Sequence, residues 1–252
     1  MIKKIKNKRG ELTLTTLIPI LIAIASFAVL MFLWWRVNFA GGGSQQVCHT
    51  SIVLFALTKG LLGKPNCNTQ FVCISGGDAC TDINPTQTIK VDSSNKNEVF
   101  KAIADNMKDC WSTYGEGNLD FVQINRFAVA NSGCAICSIM KFDDKVQQQA
   151  SGMTYQDFFN YAANNKIEGT QQTYLSYLYG VNDEDSFLKT YPIASSFMSK
   201  TILPKDEYAV LTGEVRKDWL AFWVQGGVIH PMLVDSNDIS SLKCDVFITK
   251  IS

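Results

Sequence analysis

The chain has 252 residues and a mass of 28.0 kDa, with 46% apolar and 18% charged residues. That length suits one anchor plus a domain of about 200 residues and excludes a peptide or a repeat array. Its 23 basic and 23 acidic residues cancel, so no overall positive field points to nucleic acid, which is not expected as a partner.

The average conceals a division. Lys3, Lys4, Lys6, Lys8 and Arg9 crowd the first ten residues, whereas residues 37–252 carry 17 Lys and Arg against 22 Asp and Glu. Between these parts, 12–35 form 24 consecutive residues without a charge, bounded by Glu11 and Arg36. At about 1.5 Å per residue such a helix reaches about 36 Å, enough to cross about 30 Å of hydrocarbon with some tilt. Pro19 can kink it in its first third, and Trp34, Trp35 and Arg36 suit the far interface. The excess of cations before the span predicts that the basic stub 1–11 stays cytoplasmic and that everything from about Val37 lies outside, in a cell-envelope setting. A cleaved secretory signal has a shorter apolar stretch of about 7–15 residues, and the nearby Asn38-Phe39-Ala40 lacks a small residue three before the cut. Permanent anchoring in membrane lipid is the expectation.

The run Lys8-Arg9-Gly10-Glu11-Leu12-Thr13-Leu14-Thr15, leading straight into the apolar span, resembles the prepilin-type (class III) signal of archaeal and bacterial type IV pilin-like proteins. The resemblance covers about 30 residues and implies cleavage after Gly10, a mature chain starting at Glu11, and packing of the retained helix into a filament core. This sequence has Thr15 where the family usually has glutamate.

Gly41-Gly42-Gly43-Ser44-Gln45-Gln46 is costly to order and has little to bury, so 36–47 reads as a flexible tether. The remaining 48–252 can build its own core. A membrane-proximal helix is expected over 48–62, short strands and turns over 64–95, and an amphipathic helix over 96–113. In that helix Asn95 is the cap, and Val99, Ile103, Met107 and Trp111 recur every four residues. Residues 133–142 read as a strand. Thr154 with Asp157 predicts a capped helix to about Asn165, and another short helix is expected at 170–179. The stretches 208–212, 219–224, 228–234 and 245–251 read as strands, with Gly226-Gly227 as a hairpin turn and Pro231 at an edge or bulge. The expected architecture is α+β: a transmembrane helix, then an exterior domain with two or three helices and a C-terminal antiparallel sheet.

Cys48, Cys67, Cys73, Cys80, Cys110, Cys134, Cys137 and Cys244 all follow the anchor. An even count on the outward side of a membrane predicts disulfides, with local pairing within the Cys67/Cys73/Cys80 group. The spacing Cys134-Ala135-Ile136-Cys137 also occurs in thiol–disulfide oxidoreductases, where a helix N-terminus activates the first thiol. Here the segment continues as an extended run, in which positions three apart face opposite ways, so separate partners are expected. Zinc would need a second pair or a His pair, and His49 and His230 stand alone.

The acidic run Asn182-Asp183-Glu184-Asp185 lacks the spacing of a calcium loop and reads as a solvated turn. Trp111, Trp219 and Trp223 with Phe158, Phe159 and Tyr174 could form a binding platform, but read better as core. No hydrolase elbow, metalloprotease helix, phosphate loop or dinucleotide fingerprint occurs. The sequence therefore predicts a single-pass, membrane-anchored binding or assembly protein, without a catalytic residue, metal or cofactor, acting on a protein partner or by self-assembly. A pilin-like subunit and a membrane-tethered thiol oxidoreductase using Cys134 and Cys137 are the alternatives.

Overall fold

Helix-forming apolar residues without a polar break dictate the first element, α1 (Leu14–Phe39), 26 residues with Pro19 inside. A computed structural model of the chain describes residues 14–39, 43–61, 64–81, 83–121, 132–202, 205–215, 224–225 and 227–250. Gly10, Glu11, Trp219 and Trp223 lie outside the described residues. The chain divides into two units, Met1–Gly43 and Ser44–Ser252. In the first, the described side chains of α1 run from 18 to 29 with Met31, all exposed. Among the described residues no helix is long and apolar enough to cross a membrane.

The second unit opens with α2 (Gly43–Leu57). Residues 36–39 belong to α1 and 43–47 to α2, so the segment expected to be a tether is helical at both ends. Docking outweighs the entropic cost of its glycine, about 1 kcal/mol: Ile52 is fully buried, Cys48 is bridged to Cys67, and the His49 Nδ1 lies 2.8 Å from the Thr113 carbonyl oxygen.

The strands β1 (Gln70–Ser75) and β2 (Gln87–Lys90) precede α3 (Lys96–Thr113). Asn95 caps α3 by accepting from the Asn97 amide at 3.1 Å, while Glu98 accepts from the Asp92 amide at 2.6 Å. Val99, Ile103, Met107 and Trp111 are all buried, each contributing roughly 1.5–3 kcal/mol. The long strand β3 (Ser132–Phe142) leads into α4 (Asp144–Gln149), capped by Asp143, and β4 (Met153–Thr154). α5 (Tyr155–Asn164) carries the expected Thr154/Asp157 capping box. It is followed by α6 (Tyr174–Tyr179) and α7 (Glu184–Thr190). The acidic run is solvent-facing as expected, with Asn182, Asp183 and Asp185 exposed, but it is a helix start rather than a turn: Asp183 accepts from the Ser186 amide at 2.8 Å, and Glu184 and Asp185 occupy the first turn, where the helix dipole favours them. A 3-10 turn (Pro192–Ala194), α8 (Ser195–Met198), β5 (Thr201–Ile202), β6 (Tyr208–Val215), β7 (Val224–Gln225), β8 (Val228–Asp235), a second 3-10 turn (Ser236–Leu242) and β9 (Val246–Phe247) complete the order.

Among the described residues the main sheet has seven strands in the order β2-β1-β3-β6-β8-β7, with β9 pairing β3. The expectation of two or three helices and a C-terminal antiparallel sheet is corrected in two ways. Short helices α4 to α8 fill the middle of the chain, and the sheet is mixed. β1 runs parallel to both β2 and β3, and β9 is parallel to β3, while β3, β6, β8 and β7 are antiparallel in turn. The crossover through α3 returns the chain to the same side of the sheet, which a parallel pair requires. The main core gathers Val72 and Ile74 of β1, Met140 and Phe142 of β3, and Val210 of β6 with α3, α5 and α6, while Cys134, Val215 and Ile229 form a smaller cluster.

All eight cysteines are bridged: Cys48–Cys67, Cys73–Cys80, Cys110–Cys137 and Cys134–Cys244. The local pair is Cys73–Cys80, whereas Cys67 reaches back to α2. Cys134 and Cys137 take separate partners, one in the small cluster and one packed against the main core. A thiol–disulfide exchange centre holds its own two sulfurs together when oxidised. Here each of the two is bridged to a different cysteine instead.

Candidate binding cavity

The site is built on a defect in the sheet. Between β6 and β8 the register passes from Leu211↔Met232 to Gly213↔Ile229, so two residues of β8, His230 and Pro231, face the single Thr212. Such a bulge re-aims side chains and leaves backbone groups unpaired. Pro231 has no amide to lose, so it fits the bulge, and among the described residues β7 pairs β8 through Val228 and Ile229. Side chains of the helical layer and of β6 bond to carbonyls in and beside the bulge. The Tyr179 hydroxyl donates to the Pro231 carbonyl at 2.8 Å, the Tyr155 hydroxyl donates to the Leu233 carbonyl at 3.2 Å, and the Thr212 hydroxyl donates to the Ile229 carbonyl at 2.7 Å.

His230 is held among rings. Its centroid lies 5.1 Å from that of Trp111, 5.7 Å from Tyr191 and 5.9 Å from Tyr179. Its Nδ1 is 2.7 Å from the Leu178 carbonyl oxygen. A carbonyl can only accept, so Nδ1 carries the proton and Nε2 keeps its lone pair. Burial pulls the imidazole below its ordinary pKa of 6.5, partly offset by the Leu178 bond, so the ring is neutral at pH 7.

Above the bulge, α5, α6, α7, α8 and the turn Ser236–Leu242 enclose a cavity of about 320 Å³, within the range typical of small-molecule sites. Its walls are aromatic: Tyr155 and Phe159 of α5, Tyr179 of α6, Phe187 of α7, then Tyr191 and Phe197, with His230 from β8. The rings brace one another. Phe159 and Phe187 lie 4.4 Å apart, Tyr179 and Phe187 5.0 Å, Phe187 and Tyr191 5.1 Å, and Tyr155 and Phe197 5.7 Å. Burial raises the Tyr155 and Tyr179 hydroxyls far above their usual range and pushes Tyr191 up to about 12, so all three remain neutral donors. The charged lining comprises Asp206, Asp235 and Asp238 with Lys200. Asp206 is half-buried and makes no hydrogen bond or ion pair among the described residues, while Asp235 accepts from the Asn237 amide at 2.8 Å.

Of the residues singled out from sequence, Phe158, Phe159 and His230 line this cavity; Trp111 stacks on His230, and Tyr174 is buried elsewhere, donating to Asp105 at 2.6 Å. His49 lies on α2 at the end of α3. The wall residues Tyr155, Tyr179, Phe187, Tyr191 and Phe197 and the acidic residues Asp206, Asp235 and Asp238 escaped sequence reasoning. They come from separate segments, and only the spacing of Tyr155, Phe158 and Phe159 on one helix face hinted at a shared direction. Among the described residues no group of three His, Cys, Asp or Glu stands ready to hold a metal ion.

Set against known proteins, the chain matches no family model, no curated protein and no solved structure.

Proposed function

We propose that this is a single-pass membrane protein, N-terminus inward, which displays its second unit outside the cell as a non-enzymatic binding domain with the aromatic cavity as its recognition element. The observation that carries this reading is the state of the cysteines: all eight follow the uncharged stretch 12–35, and all eight are bridged. Such a set persists in oxidising surroundings and is lost where thiols are kept reduced. Support for the anchor comes from the 24 consecutive uncharged residues 12–35, and from the exposure of Ile18, Leu21, Ile22, Ile24 and Phe27 within them. A helix apolar all round calls for lipid or a partner helix. An impermeant protease added to intact cells tests the topology: loss of the second unit supports it, and full protection until the cells are lysed contradicts it.

A second reading shares this topology. The run from Lys8 to Thr15 favours a pilin-like subunit cut after Gly10, in which exposed α1 residues pack against other copies in a filament rather than against lipid.

A further inference from the structure

We propose that the cavity over the β8 bulge binds a small organic cation, an ammonium group carried on an apolar body. This rests on the binding-domain reading and names the ligand class for it.

Three independent features select that chemistry. The walls are ring faces and edges, and the face of an aromatic ring carries negative charge density that attracts a cation most strongly when water is excluded. Tyr155, Tyr179, Phe187, Tyr191 and Phe197 supply these surfaces around about 320 Å³. The charged lining is asymmetric, with Asp206, Asp235 and Asp238 against Lys200 alone. The lysine and Asp238 are exposed, whereas Asp206 and Asp235 are half-buried, so the acidic groups reach deeper than the basic one. Finally, the imidazole of His230 has Nδ1–H occupied by Leu178 and therefore offers an acceptor, not a positive charge, to whatever enters. An anion would meet three carboxylates and no donor with a full charge except exposed Lys200. A neutral apolar molecule would fill the volume but leave the half-buried Asp206 unanswered among the described residues.

The test uses the full chain in an uncharged maltoside micelle and calorimetric titration with three probes of nearly the same shape: choline, its neutral analogue 3,3-dimethyl-1-butanol, and the anion 3,3-dimethylbutanoate. Choline is expected to bind about tenfold more tightly than the alcohol, with 3,3-dimethylbutanoate weaker than both. Among the described residues Asp206 makes no internal bond, so D206N combined with D238N is expected to leave the melting temperature nearly unchanged. The pair should weaken choline about fivefold while leaving the alcohol within about twofold. Equal binding of choline and the alcohol, no saturable choline binding up to millimolar concentrations, or full choline affinity in the double variant would each overturn the assignment. A cavity that rejects choline in a domain shown by proteolysis to be exterior defeats this inference alone; a domain that proves cytosolic defeats the reading beneath it whatever choline does.

Discussion

The Nδ1 of His230 lies 2.7 Å from the carbonyl oxygen of Leu178, a bond that ties β8 to α6 and fixes which nitrogen of the ring holds the proton. Because burial lowers the pKa of this imidazole below 6.5, the unfolded chain binds a proton that the folded chain refuses. The stability tied to the neutral ring is therefore fully present above about pH 6.5 and is lost as the pH falls below it. Thermal melts between pH 7.5 and 5 should show a falling melting temperature in the parent. A His230→Phe variant should start about 1 kcal/mol less stable through the lost bond and show a shallower slope over that window. The facing groups Tyr179, Tyr191 and Trp111 do not change charge there. An unchanged slope in the variant would place the pH dependence elsewhere.

The bridges should contribute unequally. Cys134 and Cys244 are separated by 110 positions, Cys73 and Cys80 by 7. Loop-closure entropy then assigns about 5 kcal/mol to the first and about 2.5 kcal/mol to the second. Denaturant melts of the two paired Cys→Ala variants should show that order, and the reverse order would mean that the long loop is already constrained in the unfolded chain.

Gly213 sits where the sheet tolerates nothing larger. A Cβ there would lie 2.4 Å from the Gly133 carbonyl oxygen on the neighbouring strand and 3.2 Å from the Cys134 Cα. Backbone cannot swing aside as a side chain can, so Gly213→Ala is expected to cost about 2–3 kcal/mol. Equilibrium unfolding measures this, and a loss under about 0.5 kcal/mol would show that β3 and β6 separate more readily than their register implies.

The cap of α5 bears on the cavity. Thr154 accepts from the Asp157 amide at 3.1 Å and Asp157 accepts from the Thr154 amide at 3.0 Å. Thr154→Ala should cost about 1 kcal/mol and loosen the turn that presents Tyr155 and Phe158. Hydrogen exchange along 155–160 should rise in the variant while that of α3 stays as it was; equal change in both helices would tie the cap to global stability alone.

Much of the scaffold was legible because its signals are local. The four-residue recurrence from Val99 to Trp111, the Asn95 cap, the Thr154/Asp157 box and the strand around Cys134 each depend on residues within a few positions of one another. The separate fates of Cys134 and Cys137 followed from strand geometry. What escaped is tertiary. Cys48 finds Cys67 only because α2 docks on the end of α3, and β1 pairs with β3 only after a crossover of some sixty residues. Asp183 was not legible as a helix cap because its helix, Glu184–Thr190, is too short to show a period. The cavity was invisible because its aromatic residues are unremarkable singly and converge only when Tyr179 bonds the Pro231 carbonyl in the β8 bulge and Tyr155 the Leu233 carbonyl beyond it. The Pro231 bulge was readable, but that it would aim His230 among three rings was not.

Processing separates the two membrane readings. Intact-mass measurement of chain isolated from the membrane of the producing cells should give a mature end at Glu11 for the pilin-like reading and an uncut Lys8-Arg9-Gly10 for the plain anchor.

The central claim is an oxidised domain held at a membrane, and the most direct measurement is denaturing alkylation of the chain taken from the cells that make it, without reductant. Recovery in the membrane fraction with none of the eight cysteines alkylated is the result this account predicts. Recovery in the soluble fraction with all eight alkylated would contradict it.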